Sequence, residues 1–217
     1  MKPGDKLPTE IELVAIAPYS LGTIQRAIRS LVDAGLVQRK PKLGTFVTRA
    51  RRTIDEPWHF RFFDNDPKSL LPVYPTAVLR RKVSQRGPWS TCGTRRVICI
   101  DRLVNVNDEF CAFSRFFFNG ERYPLFEKIP LDSLHGENFR ALLQRQIPEQ
   151  IERISHRLFL RPPPPDVCRL IGIPRGTPCT LVQITVVGIT GKTLYYQELT
   201  VPPSERSLEL ADPVLLR

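Results

Sequence analysis

The segment "YSLGTIQRAIRSLVDAGLVQRK" at residues 19–40 constrains the fold of this chain more than any other stretch. Ile24, Ala27, Ile28, Leu31 and Val32 recur at the i, i+3, i+4, i+7, i+8 spacing of one apolar helical face. Ser20 is suited to cap that helix, and Gly35 stands where a left-handed residue would end it. Upstream, Thr9 and Glu12 in "LPTEIEL" have capping-box spacing, and Pro18 closes the shorter helix they begin. Two helices joined by a tight turn make a helix-turn-helix. Downstream, "GLVQRK" and "GTFVT" alternate around "PKLG", the pattern of a β-hairpin with Lys40 and Lys42 near its tip.

Charge bears on what such a unit would bind. The chain has 217 residues and a formal net charge of +10. Residues 1–52 hold ten Lys/Arg against four Asp/Glu, a net of +6, so more than half the excess sits in the first quarter. An amphipathic helix packed on a core needs no such asymmetry, whereas a polyanionic partner rewards it. In a winged helix-turn-helix the second helix enters the major groove by its N-terminal end while the wing follows the backbone. Ser20 and the free amides of the first turn suit a phosphate, and Gly22 keeps that turn slim. Thr23 and Gln25 are placed for base edges, Gln being able to pair bidentately with adenine. Arg26, Arg29, Lys40 and Lys42 are placed for phosphates, which set register and not sequence.

Beyond this unit (residues 1–48) the composition shifts. Residues 49–66 are basic at first and then rich in Pro and Asp, and are expected to be a linker. Residues 67–212 change to short β-like runs with one or two helices. "RRVICIDRLVNV" (95–106), "EFCAFSRFFFN" (109–119) and "CTLVQITVVGI" (179–189) are rich in Val, Ile and Phe, and "KTLYYQELTV" (192–201) follows Gly191 as the second arm of a hairpin. "GENFRALLQRQI" (136–147) and "PDVCRLIGI" (165–173) carry helical spacing, and "RPPPP" (161–165) is a rigid connector that ends a strand and introduces the second helix. Twenty-one prolines argue against a continuous helical bundle. The expected class is α+β: a winged helix-turn-helix followed by an antiparallel sheet with flanking helices. Phe113, Phe116, Phe117 and Phe118 are expected in the core, since a base-stacking platform would need basic residues interleaved through the sheet.

Other classes are disfavoured. The five cysteines form no C-x-x-C pair and the three histidines are scattered, so reduced thiols are expected and a zinc site is not. No run reaches the roughly 18 apolar residues of a membrane span, and the start carries no secretion signal, so a cytoplasmic protein without a membrane partner is expected. G-x-S-x-G, H-E-x-x-H, phosphate-loop and dinucleotide fingerprints are missing, and no cofactor or catalytic residue is expected.

Residues 2–47 resemble, without a gap, the DNA-binding domain of GntR-type bacterial transcription regulators. Pro3-Gly4, Leu7-Pro8-Thr9-Glu10, the second helix, Gly35-Leu36 and Gly44-Thr45-Phe46-Val47 carry the resemblance. It adds Thr9, Leu21, Gly44 and Thr45 to the DNA-facing set. Where that family often has arginines this chain has Ile11, Leu21 and Gln25, which implies a different sequence readout. The family also has a helix of about twenty residues ahead of the Pro-Gly that covers Leu13, Ile28 and Leu31. The expectation is either a start placed too far downstream or a destabilised domain, at roughly 1.5–3 kcal/mol per large side chain left wet.

From about Leu70 to Leu210 the chain is similar to the UTRA effector-binding domain of the HutC branch, a chorismate-lyase-like fold. The clearest pieces are "IDRLVNVNDEFCAFSRFFF", "PDVCRLIGIPRGTPCTLVQITV" and "GKTLYYQELTV". That resemblance implies a homodimer that reads a two-fold operator and is controlled by a small molecule bound in a cleft against the sheet. Arg102 matches an arginine that sugar-phosphate-binding relatives use for an anion. Val104, Ser114 and Tyr195 stand where those relatives have an arginine and two acidic residues, so a phosphosugar is not expected. The candidate effector residues are Arg102, Ser114, Arg115, Gln183, Tyr195, Gln197 and Glu198. The function expected is a metabolite-responsive repressor, and the alternative is a ligand-binding module that has lost DNA binding.

Overall fold

The computed structural model describes residues 5–33, 37–40, 43–47, 59–64, 69–84, 86–93 and 96–210. The chain divides into two compact units, Met1–Thr53 and Ile54–Arg217.

In the first unit, α1 (Glu10–Ile16) begins with the expected capping box. The Glu12 amide donates to Thr9 Oγ1 at 3.3 Å while the Thr9 amide and hydroxyl donate to Glu12 Oε2 at 2.7 and 2.9 Å. These bonds hold the Glu12 carboxyl below the usual range. Extended Ala17 ends α1, as a residue preceding proline tends to. Helix α2 (Leu21–Asp33) starts with the Thr23 amide donating to Ser20 Oγ at 3.3 Å. Strands β1 (Val37–Lys40) and β2 (Gly44–Val47) form the hairpin, with Val37 opposite Val47 and Lys40 opposite Gly44.

The wing has a third member that the sequence did not announce. The Leu7 amide donates to the Thr45 carbonyl at 2.7 Å and the Val47 amide to Asp5 at 2.8 Å, so residues 5–7 run alongside β2. Ile24, Ile28 and Val37 are buried, and Leu13, Leu31 and Val32 are half-buried. Ile28, expected to stay wet, is covered within the unit itself. Ala27 is exposed because it sits on the flank of the apolar stripe, about 60° from Ile24. Gly35 and Lys42 lie outside the described residues, as do residues 48–58 and the Lys40 side chain.

The second unit is built on a six-stranded antiparallel sheet in the order β4-β5-β6-β9-β8-β7. Its strands are β4 (Val73–Val83), β5 (Val97–Val106), β6 (Phe110–Asn119), β7 (Ile151–Arg161), β8 (Cys179–Gly188) and β9 (Thr193–Val201). The β8–β9 hairpin turns at Gly191, whose φ of +74° favours glycine. Helices α3 (Leu125–Lys128) and α4 (Phe139–Gln146) pack on one face, and α5 (Pro165–Ile171) on the other. Residues 60–63, expected within the linker, form β3 (Phe60–Phe63), which pairs with β10 (Ser207–Leu210) across most of the unit's length. Burial of Phe60 and Phe62 in the main core drives that pairing.

Both faces of the sheet are covered, which explains why its central strands read as nearly continuous apolar runs. On the α4 face Ile98, Ile100, Phe116, Phe118, Val182 and Ile184 join Phe126, Phe139 and Leu143. On the α5 face Phe113 packs against Val167 and Ile171, while Trp89 stacks on Phe117 at 4.5 Å between ring centroids. All four phenylalanines of "FSRFFF" are therefore buried, two on each side. All five cysteines are free thiols. Among the described residues no helix is long and apolar enough to cross a membrane.

Candidate functional site

The N-terminal end of α2 faces solvent. Ser20, Leu21, Gly22, Thr23, Gln25, Arg26 and Arg29 are all exposed. Ser20 and Thr23 share a hydrogen bond between their hydroxyls at 2.9 Å, which leaves each with further lone pairs or a proton for a ligand. Gln25 Nε2 donates to Glu10 Oε2 at 2.9 Å, and Arg39 Nη2 donates to Glu10 Oε1 at 2.5 Å. Glu10 thus ties the first turn of α1 to both α2 and the wing, and holds Gln25 in a defined direction. Arg26 Nε makes a long 3.4 Å bond to the Gly22 carbonyl and otherwise reaches outward.

Thr9, placed in the DNA-facing set, has its hydroxyl committed to the capping box. Gly44 has a φ of +116°, and a Cβ there would lie 2.6 Å from Lys6 Cε, so the Lys6 side chain crosses the wing at that point. Thr45 is half-buried beside it and engages through its backbone. Lys6 and Arg39 are cations of this surface that the sequence reading left out. Lys6 falls between the Pro3-Gly4 and Leu7-Pro8-Thr9-Glu10 motifs, and Arg39 lay unremarked between Gln38 and Lys40.

In the second unit the seven candidate effector residues fall on opposite faces of one sheet. Side chains alternate along each strand and adjacent strands are in register, so parity decides the face. Arg102, Ser114, Tyr195 and Gln197 lie on the α4 face, and Arg115, Gln183 and Glu198 on the α5 face.

The α4-face group is closed to solvent. Arg102 is 2% exposed; it donates from Nη1 to the Glu137 carbonyl at 3.1 Å and lies 4.0 Å from the Phe139 ring centroid. Burial lowers its pKa to about 9, so the guanidinium keeps its charge at neutral pH. Gln197 Nε2 donates to Ser114 Oγ at 2.9 Å, and the Tyr195 hydroxyl is hydrogen-bonded to His59 Nε2. His59, just outside the strand β3, was missed because it stands in the expected linker. Its pKa falls to about 3, mainly through burial and secondly through the positive charge of Arg140, with His156 adding to it. The ring is therefore neutral. Its buried Nδ1 and the buried Nε of Arg140 have no hydrogen-bond partner among the described residues.

The α5-face group is open. Register places Asp101, Arg115, Glu198, Gln183 and Arg157 in one row across five strands. Asp101 accepts from Arg81 at 2.5 Å and lies 3.6 Å from Arg115 Nε. Glu198 Oε1 accepts from the Tyr196 hydroxyl at 2.9 Å and from Gln183 Nε2 at 3.4 Å. A cleft of about 450 Å³ opens over Arg115 and Glu198.

Comparison with known proteins agrees with both units. Residues 1–47 match the bacterial regulatory proteins of the gntR family, and residues 93–205 match the UTRA domain. The chain is 26% identical over 199 residues to the HTH-type transcriptional regulator Rv0792c of Mycobacterium tuberculosis, covering 88% of this chain and 71% of that protein. It is 24% identical over 198 residues to a histidine utilization repressor of Pseudomonas putida, covering 83% and 73%. The crystal structure of PhnF from Mycobacterium smegmatis has the same fold, with a TM-score of 0.55 at 16% identity over 93% of this chain and 89% of that one. A helix-turn-helix with an exposed second helix, joined to a UTRA sheet, makes this chain a member of the GntR family of bacterial transcription regulators, in the branch that carries a UTRA domain.

Proposed function

We propose that the chain is a metabolite-responsive repressor, not an enzyme, that acts in the cytoplasm and binds a two-fold operator as a homodimer. The exposed N-terminal end of α2 carries this reading, because Ser20, Thr23, Gln25, Arg26 and Arg29 all face outward beside the basic wing. In this reading Thr23 and Gln25 meet base edges while Lys6, Arg26, Arg29, Arg39, Lys40 and Lys42 meet phosphates. Thr9, Leu21, Gly44 and Thr45 shape that surface.

The effector is taken up at the α4 face, by Arg102, Ser114, Tyr195 and Gln197. Support comes from the partnerless buried nitrogens of His59 and Arg140 beside Tyr195, since each such group costs about 1–3 kcal/mol that a polar ligand would recover. The repressor names of relatives support the direction of control.

Titration of the protein onto its own upstream DNA at several salt concentrations tests the DNA-binding half. Affinity is expected to fall linearly in log salt with a slope of about −0.9 per phosphate contacted. Gln25→Ala is expected to lower discrimination between operators more than total affinity. Salt-independent or missing binding by the full chain would favour a ligand-binding module without DNA-binding activity.

A further inference from the structure

On the α5 face, two oppositely charged neighbours are held apart. Arg115 on β6 lies directly opposite Glu198 on β9, on the same side of the sheet. Residues so placed usually pair with each other. Here they do not form an ion pair. Arg115 leans toward Asp101 and Asp166, at 3.6 and 3.7 Å, both too long for hydrogen bonds, and its buried Nε has no hydrogen-bond partner. Glu198 leans the other way, toward Tyr196 and Gln183, and both bonds fall on Oε1. Its Oε2 has no hydrogen-bond partner among the described residues. Asp101 is shared: it accepts a 2.5 Å hydrogen bond from Arg81 and meets Arg115 only at ion-pair distance.

The gap is part of a built cavity. Both residues line the 450 Å³ cleft, which lies in the range of small-molecule sites. Its apolar stretch is supplied by Phe113, Val167 and Leu181, with the stiff residues 162–164 as a wall. The Arg115 guanidinium is 5.2 Å from the Phe113 ring centroid, which holds it at the edge of that stretch. Arg161 lines the opposite end, three strands and four residues away, or about 14 Å across and about 13 Å along. It is exposed and has no carboxylate partner among the described residues.

We infer that this cleft is a second small-molecule site, on the face of the sheet opposite Arg102, for an α-amino dicarboxylate. The split pair reads the head group: Arg115 takes the α-carboxylate and Glu198 Oε2 takes the ammonium. The carbon chain lies along Phe113, Val167 and Leu181, and Arg161 takes the distal carboxylate. Lining charges of two Arg and one Glu match a ligand with two carboxylates and one ammonium.

Three probes separate the parts. L-2-aminoadipate carries every group, L-norleucine lacks the distal carboxylate, and adipate lacks the ammonium. Calorimetric titration of the full chain at low salt is expected to rank aminoadipate at least tenfold tighter than either of the others. Arg161→Gln, an exposed change that leaves folding intact, should bring aminoadipate to the level of norleucine. Glu198→Gln should weaken aminoadipate and norleucine at least tenfold but not adipate, while Arg115→Gln should weaken all three. Methyl spectra should shift at Val167 and Leu181 and stay fixed at Ile184 and Leu143 on the other face. Equal binding of the three probes, binding of none, or shifts confined to Ile184 and Leu143 would each overturn the site. A cleft filled by a second copy of the chain would show as binding of none.

Discussion

The two faces of the six-stranded sheet are made by alternate residues of the same strands, yet they hold polar groups in opposite ways. On the α4 face Arg102, Ser114, Tyr195 and Gln197 are sealed in, at 0–3% exposure, among aromatic rings. On the α5 face Arg115 and Glu198 line an open cleft, and half-buried Gln183 bonds to Glu198 beside it. Polar groups are therefore packed into the core on one side and border an open cleft on the other. Stability should depend more on the first set than on the second.

The largest test of that contrast is Phe116→Ala. Phe116 stacks on Tyr195 at 4.7 Å between centroids and meets Phe139 edge-on, so its loss is expected to cost about 3–5 kcal/mol in urea denaturation. A cost under 1 kcal/mol would mean that the closed face is not the core.

Next in size is the effect of acid. Folded His59 takes up a proton near pH 3, whereas the unfolded ring does so near 6.5. Its contribution is present above pH 6.5 and is lost as pH falls from there toward 3, because only the unfolded chain gains the proton. Between pH 7 and pH 5 the protein should lose roughly 2 kcal/mol, and His59→Phe should flatten that slope. A slope unchanged in the variant would place the titrating group elsewhere.

The smallest effects come from matched polar changes. Tyr195→Phe removes the bond to His59 and is expected to cost about 1 kcal/mol, whereas Glu198→Gln on the open face should stay within about 0.5 kcal/mol. Equal costs would erase the distinction between the faces.

Local patterns carried the first unit. The Thr9–Glu12 box, the Ser20 cap and the alternation of the wing depend on neighbours within a few residues, so they are readable from the chain. The central strands were readable for a related reason: burial on both faces makes "VICI" and "FFF" conspicuous. Register was not readable. That Arg102 and Arg115 point opposite ways follows from how β5 meets β6, which no single strand encodes. β3 was hidden because "FRFF" sits among prolines and aspartates, and its partner β10 is about 145 residues away. His59 shared that concealment. Lys6 and Arg39 were visible as charges but gain their place only when residues 5–7 join the wing and Glu10 reaches across to Arg39.

The β3–β10 ribbon has a consequence for how this protein can be handled. Phe60 and Phe62 are anchored where the chain first enters the sheet unit, and the strand that fastens them is among the last described. Trimming the tail back past Ser207, or crowding it with a fusion tag, would loosen the opposite extremity of the unit and unseat His59 together with those rings.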